Sequence, residues 1–176
     1  MTVERASGVA APRANFGDVA LDGLFAGMIG ALTVAVWFLI LDLAAGRPLY
    51  TPALLGNVLL HGGTVTAHQV VIAPLEIAAY TAFHFVAFVV VGIVLSWLMT
   101  LFERFPIVGF VLLVLFACLQ VGFLALDAAL GAQLLGKLRP WTVVVANILA
   151  AATMAVFLWK RHPGLRQNLD RMWQPE

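Results

Sequence analysis

Four long apolar stretches divide this chain and restrict what it can fold into. They cover residues 24–41, 77–101, 107–126 and 141–159, and His84 is the only Asp, Glu, Lys, Arg or His inside them. Each stretch has 18 to 25 residues, and a helix of roughly 20 residues crosses the hydrocarbon core of a bilayer. Hydrophobic residues make up 62% of the chain and charged residues 11%, which leaves too few polar side chains to cover a water-facing surface. The sequence therefore predicts a membrane protein with several spanning helices.

The predicted fold is an all-α integral membrane protein with a four-transmembrane-helix bundle. A β-barrel would need segments of about ten residues with alternating polarity, whereas the apolar residues here are continuous. Pro74, Pro106 and Pro140 stand at or just before predicted helix starts, where a missing N–H costs least. The bundle occupies residues 18–160, with approximate spans 22–45, 75–102, 106–130 and 140–160 and an outer loop at 46–74. A polar N-terminal tail (1–17) and a basic C-terminal tail (161–176) flank it.

The outer loop is the longest predicted connection between spans. Thr51-Pro52 is typical of an N-cap followed by a first-turn proline, and His61-Gly62-Gly63 is typical of a helix stop. The residues between them predict a short amphipathic helix, too short to cross a bilayer, that lies at the outer interface. Two roles are open for it: a lid over the outer mouth of the bundle, or an element that docks a partner or gates a ligand site.

Lys and Arg, rather than net charge, predict the orientation. With the N-terminus inside, seven basic residues lie on the cytoplasmic side and three outside, namely Arg5, Arg13, Arg104, Lys160, Arg161, Arg166 and Arg171 against Arg47, Lys137 and Arg139. We therefore expect a multi-pass protein of the bacterial inner membrane with both termini in the cytoplasm. A net charge of +1 gives no broad basic face, so nucleic acid is not an expected partner.

Small residues recur along the first predicted helix and indicate close helix packing. Gly23, Gly27, Ala31 and Ala35 follow one another at intervals of four, which places them along one helix face. Such a ridge lets a second backbone approach closely within lipid. Gly122 is the corresponding small residue in the third span. We refer to the four residues of the first helix as the small-residue ridge.

Polar residues within and beside the spans all map to the predicted outer half of the bundle. They are Asp42, Glu76, Tyr80, His84, Gln120, Asp127 and Asn147. Three interpretations are open. Each group can satisfy a helix end or a neighbour, the set can form a proton or cation site, or it can bind a metal, haem or quinone. His61, His68 and His84 are the weak candidates for metal ligands, because no HxxxH or ExxH pair lies on one helix.

Enzymatic chemistry has little support in the sequence. The one cysteine, Cys118, lies within a predicted span, where desolvation keeps it a thiol, and no nucleophile or phosphate-binding motif is present. The first functional hypothesis is a non-catalytic accessory or structural subunit of a larger membrane complex, or a homo-oligomer, that packs through small-residue faces and the outer lid. The alternative is proton or cation transport, or an outer metal, haem or quinone site built on Asp42, Glu76, His84 and Asp127.

Overall fold

A computed structural model of the protein describes residues 16–61, 70, 72–104 and 140–161. These residues form four α-helices, which are α1 (Phe16–Ala44), α2 (Tyr50–His61), α3 (Pro74–Arg104) and α4 (Pro140–Arg161), and none of the described residues forms a strand. Three helical segments are long and apolar enough to span a bilayer, namely Phe16–Ala44, Pro74–Leu101 and Trp141–Arg161. The described residues are therefore helical as predicted, and their three apolar helices support a multi-pass membrane protein. The predicted span at 106–130 lies outside the described residues, so the fourth crossing stays a prediction.

Outward-facing side chains of the three spanning helices are apolar and exposed. Phe25 and Leu32 on α1, Val90 on α3 and Ile148 on α4 each expose more than half of their surface. In water, exposing these side chains would cost free energy, because contact between apolar surface and water is unfavourable. In lipid they meet hydrocarbon, so this surface fits contact with a bilayer.

Helix α1 packs on α3 through the first part of the small-residue ridge. A Cβ atom added to Gly23 would overlap the backbone of Ile93, and one added to Gly27 would overlap the carbonyl oxygen of Phe88. Gly92 completes the contact from the other side, since a Cβ there would overlap the backbone of Gly23. The two backbones therefore touch, as small residues at a helix crossing permit. The ridge is used inside the chain at this crossing.

Helix α4 packs on another face of α1 and fixes the relative direction of the two helices. Buried Ala26, Met154 and Leu158 form one apolar cluster, and Val34, Ala146 and Ala150 form another. Polar contacts bound this interface at both ends. Arg161 Nε donates to Asp22 Oδ1 at 2.8 Å, and Trp37 Nε1 donates to the carbonyl oxygen of Thr142 at 3.0 Å. The start of α1 thus lies beside the end of α4, and we call this the Asp22 end and the opposite one the Asp42 end.

A tight turn connects α1 to α2 at the Asp42 end. Gly46 has a φ of +68°, its N–H donates to the carbonyl of Leu43 at 3.0 Å, and the N–H of Arg47 donates to the carbonyl of Asp42 at 2.9 Å. This is the Schellman arrangement, in which a left-handed glycine closes a helix. It reverses the chain within a few residues and brings α2 back to the end of α1.

Helix α2 is present, although it begins earlier than the sequence predicts. Its first residue is Tyr50, and Thr51 therefore lies inside the helix rather than capping it. The Thr51 hydroxyl donates to Asp42 and does not act as the expected acceptor for the helix's own N–H groups. Gly56 seats α2 on α3, since a Cβ there would overlap the backbone of Glu76. The start and the middle of α2 thus contact the spanning helices.

Candidate functional site

A cleft of about 200 Å³ lies between α1, α2 and α3 at the Asp42 end. Its walls are mainly apolar, with Phe38 and Leu39 from α1, Leu49 before α2, and Ile77 and Phe85 from α3. Five polar residues join them, which are Asp42, Thr51, Tyr80, Thr81 and His84. Among the described residues that line the cleft, none is a lysine or arginine. The site is therefore an apolar recess with a few polar groups, the usual composition of a small-molecule site.

The cleft lies at the point along α1 where the small-residue ridge no longer packs on α3. Ala31 is fully buried, whereas Ala35, one turn further along α1, is exposed and lines the cleft. Val36 and Thr81, from opposite walls, are exposed as well. The cleft thus reaches the lateral surface of the spanning helices, the surface that faces hydrocarbon in a membrane.

Asp42 is buried, and each of its carboxylate oxygens accepts one hydrogen bond. Oδ2 accepts the backbone N–H of Thr51 at 2.7 Å, and Oδ1 accepts the Thr51 hydroxyl at 2.8 Å. Because Thr51 lies in the first turn of α2, the carboxylate satisfies an N–H that has no partner within that helix. The positive end of the helix dipole also favours a carboxylate there. The local partners of Asp42 therefore explain how a carboxylate is accommodated next to an apolar cleft.

His84 is held by a hydrogen bond and by ring contacts. Its Nε2 lies 3.2 Å from the carbonyl oxygen of Ala31, and its ring centroid lies 4.7 Å from that of Phe88 and 5.6 Å from that of Tyr80. A carbonyl oxygen only accepts, so Nε2 carries the proton, and Nδ1 of the neutral ring is left as an acceptor. Within the described part of the chain, Nδ1 has no hydrogen-bond partner. This nitrogen belongs to a side chain that lines the cleft.

Tyr80 contributes a second polar atom to the same wall. It lies one helical turn before His84 on α3, and the two residues line the cleft together. Its hydroxyl has no hydrogen-bond partner among the described residues. Thr81 differs, because its hydroxyl donates back to the carbonyl of Ile77 at 2.6 Å. Tyr80 and His84 are therefore the residues through which the cleft can bind a polar group.

Glu76 lies one turn before Tyr80 on α3 but packs against α2. It is buried beside Gly56 of α2, and its Oε1 lies 3.5 Å from Nε2 of His61. Its Oε2 is enclosed and has no partner within the described residues. Glu76 is not among the residues that line the cleft. It belongs to the contact between α2 and α3.

The structure brings together three of the residues that the sequence singles out, Asp42, Tyr80 and His84. Asn147 lies half-buried on α4 and does not line the cleft. The remaining predicted positions, Gln120, Asp127, His68 and Gly122, lie outside the described residues. Over the described ranges, no group of three metal-ligating side chains is assembled.

Thr51 is the cleft residue whose role sequence analysis missed. It was assigned only to capping its own helix, although it stands nine positions after Asp42 with a glycine turn between them. The ion pair between Asp22 and Arg161 was missed as well, and no local pattern indicates a contact between residues so far apart in the chain.

Comparison with models of protein families, with curated protein sequences and with solved structures finds no match to this chain. A function must therefore be inferred from the residues of the site, since a helical bundle alone does not specify an activity.

Proposed function

We propose that this protein binds a small lipid-soluble molecule in the cleft between α1, α2 and α3. The observation that carries the proposal is an apolar recess of about 200 Å³ lined by Tyr80 and His84. The Tyr80 hydroxyl and Nδ1 of His84 have no hydrogen-bond partner among the described residues. Polar atoms in apolar surroundings cost free energy unless they are hydrogen-bonded. A ligand with a polar head group would remove that cost.

The position of the cleft favours entry from the membrane. Exposed Val36 and Thr81 stand at its edges, and the spanning helices present these edges laterally. Helix α2 covers the recess at the Asp42 end. It is held there by its hydrogen bond to Asp42 and by the close packing of Gly56 on the backbone of Glu76. A molecule dissolved in the bilayer can therefore approach from the side, between α1 and α3, without displacing α2.

The volume of the cleft distinguishes among the metal, haem and quinone ligands that the sequence leaves open. Sites for drug-sized molecules measure roughly 300–1,000 Å³, and a haem macrocycle needs a recess of that larger order. A cleft of about 200 Å³ accommodates one ring or a short head group, with any hydrocarbon tail left in lipid. A quinone-sized head group therefore suits the cleft better than haem does. A metal is less suited, because no group of three metal-ligating side chains is assembled within the described residues.

Filling the cleft tests this proposal. Ala35→Phe places a ring in the recess, whereas Ala78→Phe puts the same ring on an exposed position of α3 outside the lining. The three proteins are purified into lipid nanodiscs, and their organic extracts are compared by mass spectrometry. We expect a compound enriched over empty nanodiscs in the wild type and in Ala78→Phe, and lost in Ala35→Phe. Identical extracts from all three proteins and from empty nanodiscs would contradict the proposal.

A second candidate is the accessory-subunit function. The observation that favours it is the anchored α2, which leaves Leu59 and Leu60 exposed next to His61. A fixed apolar edge suits docking of another integral membrane protein. The small-residue ridge does not add to this argument, because Gly23 and Gly27 pack on α3 of the same chain. Purification from mild detergent distinguishes the two functions, since a subunit would retain a stoichiometric partner that Leu60→Glu releases.

A further inference from the structure

We infer that the ligand of the cleft is a neutral, ring-headed molecule that carries a hydroxyl group, of the phenol or quinol class. This inference rests on the proposed function and adds the chemistry of the head group. It follows from the charge of the lining, from the hydrogen-bonding capacity of Tyr80 and His84, and from the aromatic side chains around them.

The charge of the lining disfavours an anionic head group. Asp42 is the only charged residue among the described residues that line the cleft, and a carboxylate repels fatty-acid and phosphate groups. The nearest basic residue in sequence, Arg47, stacks on the Tyr50 ring with its guanidinium 4.2 Å from the centroid, and it is not part of the lining. A cationic head group is not required either, since Asp42 is satisfied by Thr51.

The hydrogen-bonding groups favour a donor on the ligand. The bond from His84 Nε2 to the Ala31 carbonyl fixes the tautomer, so Nδ1 can only accept. A carbonyl, ether or ester oxygen cannot donate to it, whereas a hydroxyl can. The Tyr80 hydroxyl is able to donate or accept, so it accommodates the second oxygen of a head group or the same one. A hydroxyl donates to Nδ1 and can accept from the Tyr80 hydroxyl through the same oxygen, whereas a ligand without a donor leaves Nδ1 with no partner among the described residues.

Aromatic side chains favour a ring in the head group. Phe38 and Phe85 line the recess together with the rings of Tyr80 and His84. Aromatic rings prefer tilted or offset contact with other rings, which stabilises such pairs beyond simple burial of apolar area. A planar ring of about six atoms also fits a recess of about 200 Å³. These features distinguish a phenol or quinol from a simple alcohol on an aliphatic chain.

Three probes of matched shape test the head group. They are 4-decylphenol, its methyl ether 4-decylanisole, and 4-decylbenzoate, which share the ring and the chain and differ in hydrogen-bond donation and charge. Binding to the protein in phosphatidylcholine nanodiscs is measured by equilibrium dialysis, with partition into empty nanodiscs subtracted. Since one hydrogen bond contributes about 1 kcal/mol, we expect 4-decylphenol to bind at least about fivefold more tightly than either other probe.

Two variants assign the preference to the named side chains. Tyr80→Phe removes only the hydroxyl, and His84→Phe keeps an aromatic ring while removing the Nδ1 acceptor. Each is expected to weaken 4-decylphenol binding by about fivefold. His84→Phe should leave 4-decylanisole binding unchanged, because the ether has no hydrogen to donate to Nδ1. Tyr50→Phe is the matched control, because Tyr50 is the other of the two tyrosines and does not line the cleft. It should bind all probes as the wild type does.

The outcomes separate this inference from the proposed function. If 4-decylanisole or 4-decylbenzoate binds as tightly as 4-decylphenol and Ala35→Phe abolishes that binding, the cleft is a ligand site and the hydroxyl-donor inference is wrong. The inference is also wrong if Tyr80→Phe and His84→Phe both retain the full preference for the phenol. If none of the three probes binds saturably to the wild type, both the inference and the proposed function fail.

Discussion

Asp42 and Thr51 are joined by two hydrogen bonds, of 2.7 Å to the backbone N–H and 2.8 Å to the hydroxyl. The pair connects the last turn of α1 to the first turn of α2 across the left-handed Gly46. The same carboxylate lies at the positive end of α2, where a negative charge is favoured. Asp42 therefore lies in the last turn of one helix, accepts an N–H at the start of the next and contributes to the wall of the cleft.

The Asp42–Thr51 pair should contribute measurably to stability. Asp42→Ala removes both bonds and leaves the Thr51 N–H without this acceptor, so we expect a loss of about 3 kcal/mol in the free energy of unfolding. Thr51→Val removes only the hydroxyl bond and should cost about 1–2 kcal/mol. The measurement is unfolding in mixed micelles by titration with dodecyl sulfate.

The double variant is the control for this prediction. Because both single changes remove the same hydroxyl bond, the cost of Asp42→Ala with Thr51→Val should be less than the sum of the single costs. Additive losses would mean that the two side chains do not interact in the folded protein.

The crossing of α1 and α3 should tolerate no side chain at Gly27. Gly27→Ala adds a Cβ against the carbonyl of Phe88, whereas Gly17→Ala adds one where no atom lies within 4 Å. Both changes raise helix propensity, by up to about 1 kcal/mol in a helix interior. We therefore expect the Gly27 variant to unfold at a lower temperature than the wild type and the Gly17 variant at the same or a higher one. Equal thermal midpoints for the two variants in detergent would show that the backbones do not touch at Gly27.

Hydropathy predicts the three described spans well, because each is a local property of about 20 consecutive residues. Pro74 and Pro140 are the first residues of α3 and α4, as expected of a residue that lacks an N–H. The start of α1 was predicted too late. The helix begins at Phe16 and includes Asp18 and Asp22, since acidic residues are favoured in a first turn and Asp22 pairs with the distant Arg161.

The site is only partly predictable because it depends on contacts between helices. The helical period places Tyr80 and His84 on one face of α3, and the structure has both in the cleft. The same period groups Glu76 with them, but Gly56 of α2 packs on Glu76 and places it in a separate contact. Ala35 belongs to the small-residue ridge by spacing, yet it lines the cleft. Where a packed face ends and a recess begins is set by tertiary structure, which spacing alone does not specify.

Helix α2 should depend on Gly56 for its position. Gly56→Ala introduces a Cβ into the backbone of Glu76, which must move α2 away from α3. We expect faster amide hydrogen exchange over residues 53–61 than in the wild type, with exchange at the α1–α3 crossing unchanged. Gly17→Ala is the control and should leave both regions as in the wild type. Unchanged protection of α2 in the Gly56 variant would show that other contacts hold the helix.

The orientation of the bundle decides which leaflet supplies the cleft. The seven-to-three distribution of Lys and Arg predicts that the Asp22 end is cytoplasmic, so the cleft at the Asp42 end should draw its ligand from the outer leaflet. Single cysteines in a Cys118→Ala background test this, with Gly17→Cys at one end and His61→Cys at the other, both at exposed positions.

On intact cells, a membrane-impermeant maleimide should label His61→Cys, and it should label Gly17→Cys only after the membrane is permeabilised. The unsubstituted Cys118→Ala protein gives the background. The reverse labelling pattern would place the Asp42 end in the cytoplasm, and the cleft would then be filled from the inner leaflet. The contacts of Tyr80 and His84 would be the same in either orientation, so the chemistry of the ligand does not depend on this result.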